Sequence, residues 1–246
     1  MRLGEKHFTN QGYLVTIVEY FNSRSCSIKF EDGTILQNKL YGDVKNGNIK
    51  HLLHPTVCNV GYLGYGMYRA YEKSKLTKCY TIWHSMILRC FSKKYNKKHS
   101  SYQKVSVEVE WYNFQNFAEW YYENYNPEIM DDWHLDKDIL IKGNKIYSPE
   151  TCCFVPQEIN KLFVKMYGLK RTLPVGVSVD KNKFVARLSK YRVEHILGYF
   201  NTPEEAFQVY KTAKEQYIKE VADKWKDQIT KQIYNALINY KVEIDD

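Results

Sequence analysis

Short runs of β-branched and aromatic residues fill the first quarter of the chain. Residues 13–20 (YLVTIVEY) and 25–30 (SCSIKF) read as strands, EDGT at 31–34 is a hairpin turn signal, and 34–41 returns. Several short strands joined by turns predict a small barrel-like β module over residues 1–66. The glycine-rich GYLGYG at 61–66 lacks the strand–helix context of a phosphate-binding loop, so it reads as a hinge or turn.

The period then changes. Ile82, Trp83, Met86, Ile87 and Cys90 recur at helical spacing and predict an amphipathic helix over 79–91. Residues 92–98 read as a basic loop, and 105–111 as a strand with Val105, Val107 and Val109 on one face. A second helix spans 113–122, with Phe114, Phe117, Ala118 and Tyr121 inward; this aromatic crowding reads as core rather than base-stacking surface. The stretch WHLDKDILIKGNKIYSPETCCFVPQEIN (133–160) is the most informative. Its 135–139 reads as a strand and 142–145 as a tight reversal, with Gly143 and Asn144 able to take positive φ. Ile146 and Tyr147 begin the return strand, and 157–163 starts a helix after Pro156. Strand, turn, strand and helix in one short stretch outline a ββα finger.

Beyond 166 the pattern predicts three strands (174–179, 183–189, 195–200) and a helix opened by Thr202, Pro203 and Glu205 as a capping box. Phe184, Ala186 and Leu188 would face that helix, leaving Lys183, Val185, Arg187 and Ser189 outward, with Lys190 and Arg192 extending the basic surface. The helix carries Val209, Ala213, Tyr217, Val221 and Trp225 on one face and continues or restarts through Ile229, Ile233, Leu237 and Tyr240. This apolar face packs on the central region or pairs with a second copy. The expectation is an α+β chain of three modules, 1–66, 67–165 and 166–246, acting as a monomer or as a dimer through its C-terminal helix.

Composition narrows the class. The chain has 246 residues, 44% of them hydrophobic, and no apolar run approaches the roughly 18 residues of a membrane span. The first residues lack a secretory pattern, which predicts an intracellular protein with no membrane partner. Six cysteines form no Cys-x-x-Cys pair, so neither a disulfide framework nor a standard zinc knuckle is expected, although Cys90 and Cys152 could meet in the fold. Net charge is +8, but its distribution matters more. Residues 68–104 carry +9 and residues 161–200 carry +7, while 105–138 between them carry −8. Two basic blocks, rich in Tyr, Trp and Arg, around an acidic one suit a nucleic acid gripped on both sides of a site that needs carboxylates. Period two places His134, Asp136 and Asp138 on one strand face and Lys137 on the other. Two carboxylates and an imidazole could hold a divalent cation; the alternative is an ordinary solvated edge strand.

Four motifs in order carry a resemblance: Trp83-x-x-Met86-x-x-Arg89-Cys90, Val107-x-Val109-x-Trp111-x-x-Phe114-x-x-Phe117, Leu135-Asp-Lys-Asp-Ile, and Tyr147-Ser-Pro-Glu-Thr-Cys152. Over about 80–163 the chain resembles phage and bacterial HNH-type endonucleases. The resemblance implies a ββα-metal unit with flanking helices, Asp136 as metal ligand, aided by Asp138, and Mg²⁺ or Mn²⁺ as the cofactor of an active enzyme; an inactive one needs none, and no small-molecule cofactor is expected. The family's general-base His position is Lys137 here, and its usual Asn is Thr151. Deprotonating a lysine at pH 7 costs about 4.6 kcal/mol, so Lys137 suits a phosphate clamp better than a base. His134 could serve as base, although from the opposite strand face.

A second resemblance covers about 174–215. Gly176-Val177, Phe184-x-Ala186, Leu197-Gly198-x-Phe200-x-Thr202-x-Glu204-Glu205-Ala206 and Tyr210 are similar to the DNA-binding domain of plant ethylene-response-factor proteins. That implies a three-stranded sheet in the major groove, backed by the long helix. Contact positions would include Ser178, Lys181, Lys183, Arg187, Ser189, Lys190 and Arg192, with Arg89, Lys93 and Lys94 from the first basic block. Ser178 and Asp180 stand where plant members carry arginines, so the sequence read must differ. Together the resemblances imply a phage protein in the bacterial cytoplasm that binds double-stranded DNA at chosen sites and cleaves it with a divalent metal, as homing endonucleases do. The alternative is an inactive HNH scaffold that binds DNA in a regulatory or architectural role.

Overall fold

The first strand runs form an open antiparallel meander in the order β1 (Lys6–Phe8), β2 (Leu14–Asn22), β3 (Ser25–Phe30), β4 (Ile35–Lys39), followed by the short helix α1 (Tyr41–Lys45). The structure is a computed structural model describing residues 2–99, 102, 104–163, 172–191 and 193–246; Arg192 lies outside the described residues. Gly33 takes φ +93° and Asp32 accepts from the Thr34 N–H, which makes the β3–β4 turn expected at 31–34. The sheet does not close into a barrel: β1 and β4 are its two edges. It wraps its own core of Val15, Ile17, Cys26, Ile28, Phe30, Val44 and Ile49.

The glycine-rich link is packed rather than hinge-like. Gly64 takes φ +69°, and a Cβ there would lie 2.0 Å from Asn113 Oδ1, the oxygen that caps a later helix. A small hairpin, β5 (Tyr71–Glu72) and β6 (Lys75–Leu76), then precedes α2 (Lys78–Phe91), whose N-terminus is capped by Thr77. Trp83, Met86, Ile87 and Cys90 are buried as their spacing requires. Residues 92–98 are not a loop: Ser92 caps Tyr95 N–H and opens the helix α3 (Lys93–Lys98). The strand expected at 105–111 shrinks to β7 (Ser106–Val107) followed by a 3₁₀ turn, Val109–Tyr112. The turn buries Trp111, whose carbonyl accepts the Trp83 indole N–H at 2.7 Å, and leaves Val109 exposed. Burial of one large ring overrides the alternation. In α4 (Phe114–Asn124) the expected inner face is buried.

The ββα outline has a different pairing from that expected. β8 (Trp133–Asp136) is antiparallel to β10 (Cys153–Pro156), and α5 (Gln157–Lys161) follows. β9 (Ile146–Tyr147) does not return along β8 but pairs in parallel with β7. The residues between β8 and β10 therefore form a long excursion, stitched down where Tyr147 is buried.

β11 (Val177–Asp180), β12 (Lys183–Lys190) and β13 (Val193–Phe200) form an antiparallel sheet against α6 (Pro203–Trp225). The Thr202/Glu205 capping box is formed. Lys181 and Asn182 both take positive φ, as a two-residue type I′ hairpin turn demands. Val185, expected to face outward, is fully buried between its cross-strand partners Ser178 and Tyr199. A bulge between Ala186 and Arg187 shifts the register there. The C-terminal helix restarts as α7 (Lys231–Ile238), capped by Thr230. Ile229, Ile233, Leu237 and Val242 are buried in one core shared by the central region and the C-terminal sheet. The apolar face considered for pairing with a second copy is thus covered by the chain itself.

Gly176 has φ +73°, and a Cβ would sit 2.1 Å from the Tyr210 ring. Gly176→Ala is expected to destabilise the chain by about 2 kcal/mol or more, seen as a lowered Tm; an unchanged Tm would contradict the packing of β11 on α6.

Candidate functional site

Asp136 is the last residue of β8, and one of its carboxylate oxygens ends the strand. Oδ1 accepts the N–H groups of Asp138 and Ile139, both at 2.8 Å, which turns the chain away from β10. Period two therefore stops at Asp136, and Asp138 does not continue the strand face as expected. Lys137 is correspondingly not on an exposed opposite face. It is buried, and its Nζ pairs with Asp138 Oδ2 at 3.0 Å. The following loop is held by Asn144, whose amide donates to the carbonyls of Lys137 (2.7 Å) and Ile146 (2.6 Å). Gly143 takes φ +80° beside it.

These groups floor a cleft of ≈ 620 Å³ that also meets α2, α3 and α5. His134, Asp136, Lys137 and Asp138 from the expected site all line it, as does Arg89. Sequence reasoning missed Lys78, Lys145, Tyr147 and Asn160, which line it too. Thr151, the position of the resembled family's Asn, stays in the loop instead, donating its hydroxyl to the Ile146 carbonyl at 2.8 Å. Lys93 and Lys94 are exposed on α3 and do not line the cleft.

The electrostatics of the cleft are polarised. Burial pushes the Asp136 carboxyl up to about 6, and the neighbouring Asp138 carboxylate pushes the same way; the two backbone N–H groups oppose them. His134 is held below its ordinary value by burial first, then by Arg89 and Lys161, so its imidazole is neutral at pH 7. Arg89 stays charged beside Tyr147 and Tyr102. Among the described residues no three His, Cys, Asp or Glu side chains converge as a metal-binding group. All six cysteines are free, and Cys90 and Cys152 form no disulfide. Two carboxylates without thiol ligands fit a hard cation such as Mg²⁺ or Mn²⁺, which keeps waters and takes its other oxygens from a phosphate.

A cavity of ≈ 710 Å³ between α5, β12 and α6 is less suited to chemistry. Its carboxylates are engaged, Glu158 by Lys224 and Trp225, and Asp246 by Lys142.

On the C-terminal sheet, Arg187 donates to Ser178 Oγ at 3.0 Å and to Glu194 Oε2 at 2.8 Å. Lys183 reaches Asn201, Lys181 is exposed in the turn, and Ser189 is exposed. Lys190 pairs with Glu220 of α6, so it belongs to the helix side rather than to the outer basic surface. Arg187 on the outer face is paired with Glu194 and Lys183 lies across from Asp180, so among the described residues much of the basic charge expected there is offset. No protein-family model, curated protein or solved structure matches the chain.

Because Asp136 keeps its proton to about pH 6 when folded, against 3.8 for a free carboxyl, its contribution to stability is full below pH 3.8 and lost as pH rises through 6. Asp136→Asn keeps the acceptor oxygen without the charge. In EDTA at pH 8 it is expected to exceed the native chain in stability by about 1–3 kcal/mol, with the gap closing towards pH 4. A variant less stable at pH 8 would contradict this electrostatic assignment.

Proposed function

We propose that the chain binds double-stranded DNA and cleaves a phosphodiester in the cleft with the help of Mg²⁺ or Mn²⁺. One observation carries the reading: a carboxyl with a raised pKa lies beside a second carboxylate in a cleft rimmed by Lys78, Arg89 and Lys145. Such an acid pair is costly to keep in a structure unless a cation is meant to discharge it. Asp136 and Asp138 would hold that cation, which when bound neutralises charge developing on the phosphate and the leaving oxygen. His134, neutral at pH 7, takes the proton of the attacking water. Arg89 and Lys145 engage phosphate oxygens and orient the backbone. Lys137 is not the base: it is buried and paired with Asp138, and its role is to hold that carboxylate in place. The outer face of β11–β13 reads the duplex, with Arg187 oriented by Ser178 and Glu194 towards a base edge.

Supercoiled-plasmid nicking tests the reading. Mg²⁺ or Mn²⁺ should support nicking, Asp136→Ala should abolish it, and His134→Ala should slow it by about 10²–10⁴-fold. Duplex binding without nicking under any divalent metal would leave the alternative, a DNA-binding protein on an inactive scaffold. Arg187→Ala should weaken binding to the preferred duplex by roughly 5- to 100-fold while nonspecific binding persists. Unchanged affinity would remove the sheet from the interface.

A further inference from the structure

Where α3 and Tyr102 line the cleft, its surface is aromatic and basic. Tyr95 and His99 stack at 4.3 Å between ring centroids and 30° between planes, and Tyr102 meets Tyr95 edge-on at 5.8 Å. All three rings line the same cleft as His134 and Asp136. The stack is fixed by the backbone beneath it: Ser92 caps α3, and the Asn96 side chain donates to the Cys90 carbonyl at 3.1 Å, tying α3 to the end of α2. Around the rings α3 carries four lysines and no acid, and Lys93, Lys94, Lys97 and Lys98 are all exposed. Arg89 lies 6.0 Å over the Tyr102 ring and reaches the cleft floor.

We infer that Tyr95, His99 and Tyr102 form a stacking subsite for one unpaired nucleobase, whose own phosphate reaches Arg89. A flat π surface next to a run of lysines is the combination that holds single-stranded nucleic acid without reading its sequence. A cleft of ≈ 620 Å³ has room for one nucleotide, and a base lies face to face with these rings only when it is out of the helical stack. His99 is exposed at the end of the stack, where a base can add to the existing column. The inference rests on the proposed nucleic-acid reading and sharpens it: the preferred substrate is a duplex with an extrahelical or readily unstacked nucleotide at the scissile position. Least energy is then spent where the base is already unpaired.

Binding in EDTA separates this from cleavage. Two duplexes of one sequence would be compared, one fully paired and one with a single bulged 2-aminopurine. The bulged duplex is expected to bind about tenfold more tightly, with its fluorescence quenched on binding. His99→Ala and Tyr95→Ala should each remove most of that preference, while affinity for the paired duplex changes by less than about twofold. Tyr95→Phe, which keeps the ring, should retain it, and its behaviour guards against misfolding of the alanine variant. Equal binding of the two duplexes, or preference surviving in His99→Ala, would overturn the stacking subsite alone. Failure to bind either duplex would overturn it together with the nucleic-acid reading.

Discussion

Two backbone N–H groups converge on one oxygen of Asp136, and the arrangement of the cleft follows from that contact. It ends β8 one residue after Leu135 and throws the chain into a long loop instead of a tight hairpin. It also makes Asp136 an acid with opposing influences, since the N–H groups favour the anion while burial and Asp138 favour the proton. The turn brings Asp138 back beside Asp136 and carries Lys137 inward to pair with it. A carboxyl fixed by its own backbone cannot swing away to solvent, so the like-charge strain persists in the folded chain. That strain is the property a divalent cation would relieve.

The loop that results is fastened to the C-terminal part of the molecule. Lys142 donates to the Lys241 carbonyl at 2.7 Å and to Asp246 at 2.8 Å. The same tail is held to α6, where Glu215 accepts the Val242 N–H at 3.0 Å. α6 in turn backs the three-stranded sheet through Ala206, Phe207 and Tyr210, and Trp225 meets Trp133 of β8 edge-on at 6.4 Å. One continuous core joins the cleft to the sheet, whereas the N-terminal meander keeps a core of its own.

Elements with strong periodicity were legible in the sequence, and so were their caps. α2, α4 and α6 and the three C-terminal strands lie where their apolar spacing requires, because there local propensity and burial agree. The errors arose where a single residue outweighed a pattern. Trp111 folded a strand into a 3₁₀ turn to reach Trp83, Ser92 capped a helix in what read as a loop, and Tyr147 drew Ile146 and itself to β7 rather than β8. The acidic residues and His134 were visible as chemistry, and the cleft does gather them. Their geometry was not visible, because alternation fails once a side chain bonds the backbone ahead of it. Lys78, Lys145 and Asn160 come from separate segments, and only tertiary packing brings them together.

Proton release on Mn²⁺ binding tests the central claim most directly, because a carboxyl with a raised pKa keeps a proton near pH 6 that a bound cation displaces. Titration calorimetry in two buffers of different ionisation enthalpy should show more proton release per Mn²⁺ at pH 6 than at pH 8, and Asp136→Asn should weaken Mn²⁺ binding and remove that release. Mn²⁺ that fails to bind, or binds with the same proton count at both pH values, would contradict the account.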